Sequence, residues 1–259
     1  FTAIAAGCDS GLYFDDGVDY GSRLTVTGNT VTGAKDYGLY NYEANDGSTV
    51  NITGNTFTGH TDGCEYGLYN EYDDYGSVFN ITNNTFTNIK GPAASDGYGI
   101  YPLDSDYVND ASDMTVCGNT VTCLTDADSD TYGIYFNYVA AYGSTLTVCD
   151  NTLPGHNYVG MYFNDDIYSG SLLDVDGNSI TGGDSSCYWD ASYDIESGCI
   201  VNFTNNLFAD FTVDGLYIGG EIYGARVAIT GNRFRGATAT NGVNFFDSIS
   251  SAAEVSVND

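Results

Sequence analysis

Residues 50–57 read Val50-Asn51-Ile52-Thr53-Gly54-Asn55-Thr56-Phe57, and this octet decides the fold. Apolar and polar residues alternate on either side of a Gly-Asn pair, as in two short strands with one buried face joined at a corner. The pattern stands earlier as Leu24 to Val31, later as Phe79 to Phe86, and returns in every full period after that. Stacking the copies gives three columns. The first is Leu24, Val50, Phe79, Met114, Leu146, Leu173, Val201 and Val227. The second, two residues on, is Val26, Ile52, Ile81, Val116, Val148, Val175, Phe203 and Ile229. The third, five further on, is Val31, Phe57, Phe86, Val121, Leu153, Ile180, Phe208 and Phe234. Every member is apolar, and mostly Thr, Asn, Asp or Ser stand between them.

A second motif fills the rest of each period. Gly-apolar-aromatic triplets begin at Gly11, Gly38, Gly67, Gly99, Gly133, Gly160, Cys187, Gly215 and, in degenerate form, Gly242, separated by 27 to 34 residues. No 3.6-residue periodicity accompanies them, and a sandwich would not hold residue class at one phase through nine copies. The period therefore predicts an all-β chain: one parallel β-helix domain over 1–259, of about nine rungs of about 27 residues, with loop insertions in rungs 3 and 4 and no evident caps.

The most regular column is Asn29, Asn55, Asn84, Asn119, Asn151, Asn178, Asn206 and Asn232. Asn favours corners and can bond to the same residue one coil away, so this column reads as a structural amide ladder. The residue before it is Gly, Asn or Asp throughout, as a tight corner requires.

With these motifs, Ile81-Thr82-Asn83-Asn84-Thr85-Phe86 and Gly99-Ile100-Tyr101 above all, the chain resembles the right-handed parallel β-helix repeat family, the pectin-lyase-like superfold. The likeness covers essentially the whole chain but specifies fold rather than activity. Members include polysaccharide lyases and hydrolases, tailspikes and non-catalytic surface proteins, and this chain is most similar to the last type. The lyases imply Ca²⁺-binding carboxylates beside an Arg or Lys base. Here Arg226, Arg233 and Arg235 are the only cationic spot, and they read as a solvated face. The hydrolase pattern of three convergent Asp with a Gly-His-Gly segment is missing. His60 and His156 share a phase but stand three rungs apart, about 14 Å. The expectation is a protein that is not an enzyme.

Charge narrows the partners. Among 259 residues, 35 Asp and Glu face 6 Lys and Arg, for a net charge of −29. Six cations cannot neutralise a phosphate backbone or an anionic lipid surface, which excludes nucleic acid and membrane binding by charge. No apolar stretch approaches the ~20 residues of a membrane helix. The start at Phe1, without Met or leader, reads as a mature or excised segment. Seven cysteines (Cys8, Cys64, Cys117, Cys123, Cys149, Cys187 and Cys199) with no CxxC spacing and two His point away from zinc and toward an oxidising, extracellular or cell-surface setting. Cys117 and Cys149 share one outward column on adjacent rungs, within disulfide reach, with Cys123 as the competitor for either. Sequons at Asn51, Asn80, Asn83 and Asn202 make glycosylation candidates.

Two further readings concern binding. Asp126, Asp128 and Asp130 have the 1, 3, 5 oxygen spacing of a calcium loop, so Ca²⁺ is the one candidate cofactor; Thr131 replaces the expected Gly and Asn137 the Glu. Asp104, Asp106, Asp110 and Asp113 add carboxylates to the same rung. Tyr13, Tyr40, Tyr69, Tyr101, Tyr135, Tyr162, Trp189 and Tyr217 form an outward aromatic stripe, read as a structural ladder, a protein contact or a platform for glycans. At the ends, Ile4 falls at the Val31 phase, and Val255 to Asp259 matches Leu24 to Gly28. The reading that unites these features is an extracellular structural protein whose partner is itself, a head-to-tail homopolymer forming a filament, sheath or surface layer. The alternative is a polysaccharide-binding adhesin or a carbohydrate-active β-helix lyase or hydrolase.

Overall fold

Alternation with one residue class per face leaves the octet no stable structure alone, since an apolar face must be covered by equivalent strands above and below. The computed structural model describes residues 7–73, 76–91, 95–104, 108–109, 111–124, 129–168, 170–190, 192–238 and 241–258. It is a parallel β-solenoid, without helix among the described residues, built of three sheets that run the length of the molecule. The first holds nine strands: Ser10–Phe14, Tyr37–Ala44, Tyr66–Asp73, Gly97–Leu103, Thr131–Phe136, Val159–Phe163, Ser185–Trp189, Asp214–Ile218 and Asn241–Phe245. The second holds nine, from Arg23–Thr27 to Glu254–Asn258, and carries the first half of each octet. The third holds eight, from Thr30–Ala34 to Arg233–Arg235. Single bridges through Val108, Ala140, Ile167, Ile195 and Ile222 close the remaining side.

Strands in the second sheet pair without slippage. Leu24 lies on Val50, Val50 on Phe79, Met114 on Leu146 and Val201 on Val227, so each column found in the sequence is a physical stack. All but the end members are fully buried, and Phe57 stacks on Phe86 at 5.2 Å with rings 7° apart. The glycines opening the triplets have a steric reason. A Cβ at Gly38, Gly67, Gly99 or Gly133 would lie 2.4–2.5 Å from the carbonyl oxygen of the next rung's glycine.

The Asn column is the ladder its spacing predicts. Each Oδ1 accepts both the backbone N–H and the Nδ2–H of the Asn one rung earlier, at 2.9–3.1 Å, from Asn29→Asn55 to Asn206→Asn232. The same Nδ2 reaches back to a main-chain carbonyl of the preceding rung, as Asn119 does to Ile81 at 2.8 Å. The left-handed corner belongs to the residue before. Gly28, Gly54, Asn83, Gly118, Asp150, Gly177, Asn205 and Gly231 have φ between 52° and 67°, where residues other than Gly, Asn and Asp are strained.

Cys117 and Cys149 form a disulfide between adjacent rungs, with Cα atoms 4.5 Å apart. Cys8, Cys64, Cys123, Cys187 and Cys199 are free, and all but Cys8 are buried. Burial pushes the Cys64 and Cys123 thiols up to about 12, which makes them packing groups rather than nucleophiles.

Two outcomes check this description. Asn119→Ala strips a partner from the Asn84 amides and from the Ile81 carbonyl, all buried, and should lower stability by roughly 3 kcal/mol in denaturant titration. Peptide mapping of non-reduced protein should recover the Cys117–Cys149 link, with Cys8 the first thiol to be alkylated before unfolding. Loss of that link should destabilise the fold by about 3–4 kcal/mol, the entropy of an open 32-residue loop.

Candidate functional site: a tyrosine face and two clefts

Tyrosines concentrate on the outer face of the first sheet because alternation there puts one residue of each triplet inward and the next outward. One column is Tyr13, Tyr40, Tyr69, Tyr101, Tyr135, Tyr162, Tyr188 and Tyr217, with successive ring centroids 4.3–5.5 Å apart. Trp189 does not belong to it. Register pairs Tyr162 with Tyr188 and Phe163 with Trp189, so Trp189 is fully buried against Phe163. Ser186, not Cys187, takes the glycine place in that rung, and a slip of one residue exchanges the faces.

A second tyrosine column, not singled out from the sequence, flanks the first. Tyr37, Tyr66, Tyr98 and Tyr132 stack at 5.1–5.3 Å and meet the first column edge-on. The signal was present as a Tyr directly before Gly38, Gly67, Gly99 and Gly133. Interlocked in this way, the stripe is mostly covered by itself: Tyr40, Tyr101, Tyr162 and Tyr217 are buried, while Tyr13 at the end is 52% exposed. Ring faces are used up in stacking, and hydroxyls point outward to carboxylates. Tyr40 donates to Glu71 at 2.8 Å, Tyr69 and Tyr101 both donate to Asp104 at 2.5 and 2.6 Å, and Tyr162 donates to Asp190 at 2.6 Å. Burial first, and these carboxylates second, hold the Tyr40, Tyr69, Tyr101 and Tyr162 phenols above their ordinary range. A glycan that needs an open ring face finds few here.

Two clefts interrupt the corner between the third and first sheets. Toward one end, Lys35, Asp36, His60, Asp62, Gly63 and Lys90 line a cleft of about 270 Å³. It gathers both lysines of the chain and a histidine from three adjacent rungs, with His60 Nδ1 3.3 Å from Asp62. The arginines are therefore not the only cationic spot. Arg233 and Arg235 are exposed on either side of Phe234 as expected, but Arg226 belongs to a different sheet. Toward the other end, Tyr158, Asp184, Ser185, Tyr188, Asp214 and Tyr217 surround a cleft of about 300 Å³.

The other sequence-derived residues are dispersed. Asp126 and Asp128 lie outside the described residues. Asp130 is exposed, and its carboxyl is raised by partial burial, Asp96 and Asp184. Among the described residues no three acidic, His or Cys side chains are grouped to hold a metal. Of the sequons, Asn83 is exposed, while Asn51, Asn80 and Asn202 are half-buried and Asn80 donates to Asn51 at 2.9 Å. His156 is buried, and neither ring nitrogen finds a hydrogen-bond partner although the Gly182 and Leu153 backbones lie beside it. Burial lowers it to about 4.

That histidine predicts a pH dependence. Its folded value lies below the unfolded value of about 6.5, so the contribution is complete above pH ~6.5 and is lost as pH falls toward 4, up to about 3 kcal/mol. Denaturant titrations at pH 7 and pH 4.5 should show this loss relative to His156→Leu, in which the histidine's share of the slope is gone.

No family model matches the chain, and no curated protein or solved structure matches it, so these geometries are what its function has to be argued from.

Proposed function

We propose that this chain is an extracellular structural protein, a pectin-lyase-like β-helix of the surface-protein type whose units stack end to end into a filament, sheath or layer. One observation carries the reading: the described solenoid has open, in-register rungs at both ends. Among the described residues, Ser10–Phe14, Arg23–Thr27 and Thr30–Ala34 each have a strand neighbour on one side only, and so do Asn241–Phe245, Glu254–Asn258 and Arg233–Arg235. Apolar columns that are sealed elsewhere stay partly open there, at Leu12, Phe14 and Leu24 and at Phe234, Val243, Val255 and Val257.

The third sheet supplies a more specific argument. Among the described residues it has eight strands where the others have nine, and cavities of about 360 and 290 Å³ flank Phe234 on its last strand. Stacking two copies leaves one strand place between Arg233–Arg235 of one and Thr30–Ala34 of the next. Ile4, which falls at the Val31 phase of the repeat, lies outside the described residues. Strand addition at that place would satisfy backbone groups and cover Phe234 in one step. The contact is heterologous and does not close on itself, so it builds a fibre. The rung-to-rung disulfide and the charge of −29 suit an extracellular setting in which lateral collapse has to be resisted.

A second reading, glycan binding or carbohydrate chemistry, is favoured by the cleft that gathers Lys35 and Lys90 with Asp36, Asp62 and His60 from neighbouring rungs. That is the arrangement an acidic sugar requires, but the acidic surroundings weaken it.

Electron microscopy of the purified 259-residue chain tests the assembly. Fibres with an axial repeat of nine rungs, about 43 Å, are expected. Val257→Lys, at an exposed position of the end rung, should leave the fold intact and abolish them. Particles that stay monomeric at every concentration overturn the proposal.

A further inference from the structure

The second tyrosine column stops abruptly. After Tyr132 its register continues as Val159, Ser185, Asp214 and Asn241. Where large rings give way to small or acidic side chains, the flanking tyrosines lose their neighbours and the cleft of about 300 Å³ opens. Its walls are Tyr158, Tyr188 and Tyr217, its floor Val159 and Ser185, and its polar groups the Asp184 and Asp214 carboxylates.

Neither carboxylate has a cation within ion-pair distance among the described residues. Asp184 accepts from the Thr212 hydroxyl at 2.9 Å, and Asp214 from Asn241 Nδ2 at 2.8 Å and more weakly from Asn244 Nδ2 at 3.4 and 3.5 Å, which leaves lone pairs on both unused. Asp214 is 4% exposed, a buried anion beside a cavity. The field from further away has the same sign: Asp130, Asp190 and Asp96 act on Tyr158 alongside Asp184 and, with burial the larger cause, raise its phenol. A buried carboxylate such as Asp214, at a partly apolar cleft with no internal counter-charge, is costly until a cation enters.

We propose that this cleft binds a primary alkylammonium ion, either a free amine or a lysine side chain. An ammonium head has three donors for the Asp184 and Asp214 carboxylates and the Ser185 hydroxyl, and its alkyl stem would lie along Val159 and the tyrosine rings. A quaternary ammonium fits less well. It has no N–H to donate and depends on open ring faces, whereas Tyr188 is stacked on both sides, against Tyr162 at 5.3 Å and Tyr217 at 4.5 Å. The site is independent of end-to-end assembly, because it lies on the lateral face.

Calorimetric titration with n-butylammonium, alongside butan-1-ol and tetramethylammonium, tests the assignment. One equivalent of butylammonium should bind, the neutral isostere should not, and the quaternary ion should bind more weakly. Asp184→Asn, at an exposed position, should weaken binding about tenfold, the loss of one charge-assisted hydrogen bond. Asp247→Asn, at the opposite end of the same sheet's strands, controls for the general attraction of a polyanion and should change nothing. Ser185→Tyr restores the missing ring and should close the cleft, with folding checked by near-ultraviolet dichroism. Tighter binding of Nα-acetyl-lysine amide than of spermidine assigns the site to protein lysines, and the reverse to free polyamines. Equal binding of butanol, or equal losses in Asp184→Asn and Asp247→Asn, overturns the proposal.

Discussion

Every part of this molecule depends on the main-chain ladder that fixes one rung upon the next. Parallel strands repeat at about 4.8 Å, and any side chain placed at one phase of the period must meet its equivalents at that distance. The Asn column turns this constraint into register. Its amide accepts from the rung before, donates to the rung after and bonds to a main-chain carbonyl, so a strand displaced by one residue would lose all three and bury polar groups without partners. Columns of Val, Ile, Leu and Phe then follow as the filling that a fixed register permits.

The same spacing shapes the surface. Tyrosines stacked face to face shield one another, and what would be an apolar stripe becomes a row of hydroxyls held by Glu71, Asp104 and Asp190. Differences along the molecule therefore arise where a column changes identity. Both clefts lie at such places, one where Lys35, His60 and Lys90 replace neutral corner residues, the other where Val159, Ser185 and Asp214 replace tyrosine. In a solenoid a binding site is a defect in a repeat, with the unaltered columns holding its walls in place.

This explains what could be read in the sequence. The columns were legible because each rests on a repeated residue class, and the Cys117–Cys149 link followed from shared phase. Trp189 was misplaced because Ser186 replaces the glycine that marks phase, and one residue decides which face a side chain occupies. The lysine cleft was not legible for a related reason. A register shift at the end of Thr30–Ala34 sets Lys35 beside His60 although their offsets within the period differ, and the bridge between Cys64 and Ile89 brings Lys90 in beside Gly63. The tyrosine cleft is a matter of volumes missing from one column, and the second tyrosine column had to be recognised before its interruption could be seen.

The Asn ladder also gives the molecule an electrical sense. All seven steps from Asn29 to Asn232 donate in the same direction, from the earlier rung to the later, so their amide dipoles add along the axis rather than cancel. A helix accumulates its end charges in the same manner, and aligned donors and acceptors polarise one another along such a chain. The two directions along the ladder are thus unlike in potential. An electric field applied across a dilute solution should orient the rods with one end leading.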